Sequence, residues 1–161
     1  MSEVYIGIDP GMTGAIAILD GDDIKTYRMP LRKINGKSFL NAWDIYTLLK
    51  SNPNANVAIE EVHAMPGNGS VSMFTFGGAY HGILCILEIA GLKFRTVRPQ
   101  EWQRHFGLAR NRKGEPKIDV KKSIQGVATR LFPSIDTAKR DGHADALLMA
   151  LWLKETTQGG K

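Results

Sequence analysis

Three short apolar runs open the chain. Val4 to Asp9 reads as a strand closing on Asp9-Pro10-Gly11, and Ala15 to Leu19 as a second strand after a Gly-containing turn. Ile24 to Met29 follows the turn residues Asp20-Gly21-Asp22-Asp23 as a third, so the beginning is a meander. Pro30 to Lys37 reads as a loop, after which the period lengthens. Phe39, Leu40, Trp43, Tyr46, Leu48 and Leu49 recur at helical spacing, with Ser38 as cap and Asn52-Pro53-Asn54 as stop. Val57 to Glu61 is a short strand, and Ala64 to Ser70 a Gly- and Pro-containing loop. Val71 to Ala90 is a long apolar helix in which Gly77, Gly78 and Gly82 admit a close neighbour, and Gly91 ends it.

Lys93 to Val97 reads as a fifth main strand, and Pro99 opens a short helix at the position where proline is tolerated. Gly107 to Pro116 is a polar, basic loop. Asp119 caps a helix running to Arg130, Phe132-Pro133 ends it, and Asp141 to Lys154 forms a last apolar helix. The order βββαβαβααα predicts an α/β domain, a mixed five-stranded sheet flanked by helices. No internal repeat or linker breaks it, so one domain spans 1–156 and the Gly-Gly end, 157–161, is a flexible tail.

Composition adds little to this picture. The chain has 161 residues, 43% apolar and 23% charged, which excludes a disordered, collagenous or coiled-coil chain. No run of 18 apolar residues is present, so no membrane partner is expected, and the acidic, strand-like start is unlike a signal peptide. The single cysteine, Cys85, excludes a disulfide framework or a Cys-based zinc site and points to a reducing, cytoplasmic setting. Its apolar neighbours predict a buried side chain.

Charge changes the picture more. The formal net charge is +5, from 21 Lys and Arg against 16 Asp and Glu. Residues 93–130 hold 11 of the basic residues and 3 of the acidic ones. This run is interleaved with Phe94, Trp102, His105 and Phe106, the pattern of a surface that binds a polyanion such as nucleic acid.

The rest of the chain offers carboxylates. Asp9 ends the first strand, Glu60 ends the fourth, and Asp141 and Asp145 stand at the start of the last helix. An acid closing a buried strand is costly to desolvate unless it is paired or bound to a cation. Asp141 and Asp145 are four apart and share a helix face, where two like charges favour a cation between them. Oxygen ligands without cysteine select Mg²⁺ or Mn²⁺ over zinc. The plain alternative is that Asp141 caps the helix and Asp145 is solvated.

Val4-Tyr5-Ile6-Gly7-Ile8-Asp9-Pro10-Gly11, Val57-Ala58-Ile59-Glu60-Glu61-Val62 and Asp141-Gly142-His143-Ala144-Asp145-Ala146-Leu147 resemble the three acidic motifs of the RuvC family of Holliday junction resolvases, RNase H-like nucleases, and above all its short phage-type members. The resemblance spans residues 4–153. It implies an RNase H-like fold in which Asp9, Glu60, Asp141 and Asp145 hold two Mg²⁺ ions, with Mn²⁺ as an alternative. The family often sets its last two ligands three apart, which here falls on Gly142. Asp141 or His143 must fill that role, with Asp141 preferred because i and i+4 share a helix face. Glu61 should face away from Glu60.

The same resemblance implies a four-way DNA junction as substrate, hydrolysis that leaves a 5′-phosphate and a 3′-hydroxyl, and a bacterial or phage-infected cell as setting. Lys122, followed by Ser123, matches a family Lys-Ser at a helix start and is the expected catalytic lysine, with Lys121 beside it. Gln103, next to Arg104, stands where the family has a second lysine. His63 stands where the family has an aromatic wedge that stacks on bases at the branch point. Arg110, Arg112, Lys113, Lys117, Lys121 and Lys122 complete the expected DNA contacts. Two cuts per junction call for a twofold homodimer, with the helix from Val71 to Ala90 as candidate interface.

Three rival readings remain. Ile6 to Gly14 also resembles the first phosphate loop of actin-like ATPases, which need two such domains. A non-catalytic DNA-binding module of the same fold is the second, and a nuclease acting on another branched DNA or on an RNA/DNA hybrid is the third.

Overall fold

The structure, a computed structural model, describes residues 3–63, 67, 69–108, 119–137 and 142–159. Its centre is a five-stranded sheet of β1 (Val4–Asp9), β2 (Ala15–Asp20), β3 (Asp23–Arg28), β6 (Asn56–Glu60) and β7 (Lys93–Val97), in the order β3-β2-β1-β6-β7. The meander pairs are antiparallel, whereas β1–β6 and β6–β7 are parallel. This is the expected mixed sheet with helices on both faces, and β1 lies at its middle.

Side-chain alternation divides the core in two. Ile6, Ile8, Val57 and Ile59 face α1 (Ala42–Lys50) and α2 (Ser70–Ala90). Tyr5, Ala58 and Val97 face the other side, which is covered by α3 (Pro99–His105), α4 (Val120–Leu131) and α5 (His143–Gln158). The same alternation turns Asp9 and Glu60 toward the α5 side. Gly7 makes that layer tight: a Cβ there would lie 2.0 Å from the Ala146 carbonyl oxygen, so α5 rests directly on β1.

Several expectations need correction. Residues 31–40 are not a loop running into a helix but a separate hairpin of β4 (Leu31–Ile34) and β5 (Lys37–Leu40). Phe39 and Leu40 are therefore strand residues. The cap of α1 is Asn41, whose side chain accepts from the Asp44 N–H at 3.3 Å, rather than Ser38. Cys85 is exposed, because the helical period carries it to the outer side of α2. The last helix begins at His143 after Gly142, and it continues through Gln158, taking in the first two residues of the expected tail. α2 is also long and apolar enough to span a membrane by length and composition, although Tyr80, Ile83, Ile86 and Leu87 on its inner side pack into the core.

Other expectations hold. The first strand and the strand from Lys93 to Val97 have the expected bounds, and Pro99 opens α3. Asp119 caps α4 by accepting from the Lys122 N–H at 3.1 Å, and Gly91 ends α2 with φ 70°.

Candidate active site

The parallel register pairs Gly7 with Ala58 and Ile8 with Ile59, so β1 and β6 end side by side. Their last residues are Asp9 and Glu60. The carboxyl ends of parallel strands are where α/β sheets place their sites, because the chain leaves the sheet there and opens a crevice. α5, seated on Gly7, carries Asp145 to the same end. Asp9, Thr13, Val120, Lys121, Ile124, Gly142 and Asp145 line an open cleft of about 420 Å³.

Gly142 explains how the chain enters this cleft. Its φ is 75°, a left-handed conformation that glycine adopts without strain. A Cβ at Gly142 would also lie 2.6 Å from Asp9 Oδ2 and 2.9 Å from Gly14 Cα. A side chain here would be strained on both counts, so the glycine where the family pattern has a ligand belongs to the packing of the acidic end.

Glu60 is held from a different element. The Trp102 indole N–H donates to Glu60 Oε1 at 3.0 Å, and Trp102 is fully buried. Burial pushes the Glu60 carboxyl up to about 7; the Trp102 hydrogen bond pulls the other way, and the charge of Asp145 adds to the rise. Glu60 and Asp145 thus feel one another. α3 is tied to α5 by His105 Nε2 and Glu155 Oε2 at 2.6 Å, which fixes the tryptophan relative to Asp145's helix. Sequence reasoning missed Trp102, which it read only as part of the basic-aromatic run.

Glu61 lies apart from this group, as expected: its carboxylate meets Arg98 Nε at 3.4 Å and His63 Nε2 at 3.6 Å. His63 is exposed just beyond β6, whereas His143 is fully buried at the first residue of α5 and is not among the residues lining the cleft. Both lysines at the start of α4 are exposed; Lys121 lines the cleft, and the Lys122 backbone N–H makes the cap. Gln103 is half-buried and Arg104 exposed, both on α3. Asp141, Arg110, Arg112, Lys113 and Lys117 lie outside the described residues. Thr137 is held on α4, where Gln125 Nε2 donates to its carbonyl at 2.9 Å and the Thr129 and Thr137 hydroxyls meet at 2.9 Å.

Among the described residues no group of three His, Cys, Asp or Glu side chains stands close enough together to hold a metal ion. The donor chemistry nevertheless fits a hard divalent cation. The cleft's oxygen ligands are the carboxylates of Asp9 and Asp145, and burial raises the cost of ionising Glu60 nearby, a cost that a cation would offset.

Solved structures with this fold were found over nearly the full chain. The Thermus thermophilus RuvC structure superposes with a TM-score of 0.59 at 19% identity, covering 98% of this chain and 96% of that one. T. thermophilus RuvC in complex with Holliday junction substrate superposes with a TM-score of 0.58 at 17% identity, covering 99% and 97%. No protein-family model matches the sequence, and no curated protein matches it. The fold is the RuvC-like one of the RNase H-like class.

Proposed function

We propose that this protein is a metal-dependent DNA endonuclease that resolves four-way junctions, working as a homodimer wherever such junctions arise in a bacterial or phage-infected cell. The observation that carries the reading is a cleft in a RuvC-like fold lined by Asp9, Asp145 and Lys121, with Glu60 at the end of the neighbouring parallel strand. Asp9, Glu60, Asp145 and Asp141 are the residues that would hold two Mg²⁺ or Mn²⁺ ions. Bound there, such ions lower the pKa of an attacking water and neutralise the leaving oxygen.

The chain's own groups do the positioning. Trp102 fixes one Glu60 oxygen and leaves the other free to turn toward the substrate side. Lys121, at the cleft, supplies positive charge to the scissile phosphate, with Lys122 next to it. Arg110, Arg112, Lys113, Lys117, Gln103 and Arg104 hold the arms, and His63 stands ready to stack on a base at the branch point. Between the two candidates for the fourth ligand, Asp141 is favoured because His143, the first residue of α5, is fully buried and does not line the cleft. Asp141→Asn should then lose cleavage far more than His143→Ala.

Two sites per junction require two copies. α2 carries an outward stripe of Val71, Phe74, Gly78, Cys85 and Ile89, of which Val71 is 79% and Phe74 85% exposed. Apolar residues and a glycine on one helix face suit packing against the same helix of a second copy about a twofold axis.

The test is cleavage of labelled four-way junction, duplex, flap and RNA/DNA hybrid with Mg²⁺ and with EDTA. Paired Mg²⁺-dependent cuts in the junction alone, lost in Asp9→Asn with binding retained, are the expected result. Preference for the hybrid or flap moves the substrate to the rival nuclease reading, and binding without cleavage on any substrate leaves a DNA-binding module.

A further inference from the structure

The hairpin of β4 and β5 stands outside the central sheet, and the site described above makes no use of it. Its ten residues, Leu31 to Leu40, contain Arg32, Lys33 and Lys37 and no carboxylate. All three cations are exposed, and none forms an ion pair with a described residue. The turn is Asn35-Gly36 with φ 50° and 76°, the type I′ geometry that closes a two-residue hairpin, and open space surrounds Gly36. Cross-strand pairing sets Arg32 opposite Phe39 and Ile34 opposite Lys37, all four on one face. That face alternates cations with exposed apolar side chains, Phe39 at 45% and Ile34 at 42%.

Its root ties it to the acidic end of the sheet. The Met29 N–H donates to the Gly14 carbonyl at 2.9 Å, just before the hairpin, and the Asn41 N–H closes it on the Pro30 carbonyl at 2.8 Å. Gly14 is the residue whose Cα lies against Gly142 beside Asp9. Along β5 the hairpin borders a groove of about 630 Å³ with α2, lined in part by Met12, Lys37, Phe39 and Phe74.

We infer that the β4–β5 hairpin is a second DNA-binding element, gripping a double-stranded arm of the substrate through phosphate contacts from Arg32 and Lys37 on one face of the ribbon and from Lys33 on the other. The inference rests on the DNA-acting reading above and adds to it a surface outside the basic stretch 93–130. Charge complementarity selects the occupant. A polyanion neutralises three uncompensated cations, whereas a second copy brings little to do so, since α2 contains one carboxylate, Glu88. Size agrees as well: four-residue strands span about 13 Å, and a two-stranded ribbon is narrow enough to lie along the major groove and its flanking phosphates.

The experiment compares wild type with Arg32→Gln/Lys33→Gln/Lys37→Gln in binding to a plain duplex and to a four-way junction over a salt series. Thermal unfolding and oligomeric state are measured alongside. The triple variant should unfold at the wild-type temperature, bind duplex at least tenfold more weakly at 0.1 M salt, and show a log-log salt slope shallower by about two to three, near 0.9 per lost phosphate contact. A Phe39→Ser single variant, which keeps the cations, should retain most of the slope. Unchanged affinity and slope in the triple variant overturn the inference while junction cleavage by wild type still stands. A slope that falls in a protein that cleaves nothing upholds the hairpin and rejects the nuclease reading. Conversion of a dimer to a monomer by the triple variant overturns the inference in favour of a self-interface.

Discussion

Trp102 and Glu60 are joined by one hydrogen bond, 3.0 Å from indole nitrogen to carboxylate oxygen, across 42 residues of sequence. The bond links β6 to α3, and the tryptophan is buried so completely that its N–H has no water to turn to. A carboxylate that must present one oxygen to a cation gains from having the other one fixed.

Trp102→Phe keeps the ring and removes the donor. A hydrogen bond to a charged group is worth about 1.5–3 kcal/mol, so cleavage of bound junction should fall roughly tenfold to a hundredfold. Because the Trp102 bond lowers the Glu60 pKa, its loss should move the acidic limb of the rate profile to higher pH. Single-turnover rates from pH 6 to 9 check this. A uniform fall at every pH assigns Trp102 a purely structural role.

Glu60 gives a second handle in metal-free protein. Its folded pKa of about 7 lies above the ordinary 4.5, so between these values the folded state holds a proton that the unfolded state has released. Its contribution to stability is then full at or below pH 4.5 and is lost as pH rises to about 7, on the order of 3 kcal/mol at 1.36 kcal/mol per pKa unit. In EDTA, melting temperature should fall by several degrees between pH 5 and 8 in wild type and by clearly less in Glu60→Gln. Parallel curves for the two proteins would remove this residue as the cause.

Much of this end of the molecule was legible because strand ends carry their own punctuation. Asp9 stands before Pro10-Gly11, and Glu60 closes an apolar run, so both could be placed at the carboxyl ends of strands. What was not legible depends on distant pairs. Nothing near Trp102 names Glu60 as its partner, and nothing near Gly142 shows that Asp9 Oδ2 fills the space of its missing side chain. The β4–β5 hairpin was missed for a local reason: Phe39 and Leu40 continue the helical spacing of Trp43 and Tyr46, and the Asn35-Gly36 turn went unread within the loop from Pro30 to Lys37. Cys85 was misread because neighbours in sequence are not neighbours on a helix.

Gly142→Ala tests the packing at the acidic end. The methyl group must displace both Asp9 Oδ2 and the Gly14 backbone, and the backbone must hold φ 75° with a Cβ. A cost of about 1–3 kcal/mol in stability is expected from the strained conformation alone. Cleavage should fall further than that stability loss explains, because the displaced group is Asp9. Chemical denaturation together with the rate at saturating Mg²⁺ separates the two effects, and wild-type cleavage would show that Asp9 tolerates displacement.

The two lysines at the start of α4 make a final contrast. Lys121 lines the cleft beside Asp9 and Asp145, while Lys122 contributes its backbone N–H to the Asp119 cap, a contact that any residue but proline can make. If the scissile phosphate sits in the cleft, Lys121→Ala should lower the single-turnover rate of bound junction by roughly tenfold to a hundredfold with a smaller effect on affinity. Lys122→Ala should instead weaken binding and make the salt slope shallower by up to about 0.9, leaving the rate of the bound complex near wild type. The opposite pattern would return the catalytic role to Lys122, as the family resemblance implies, and would mean that the start of α4 turns when DNA binds.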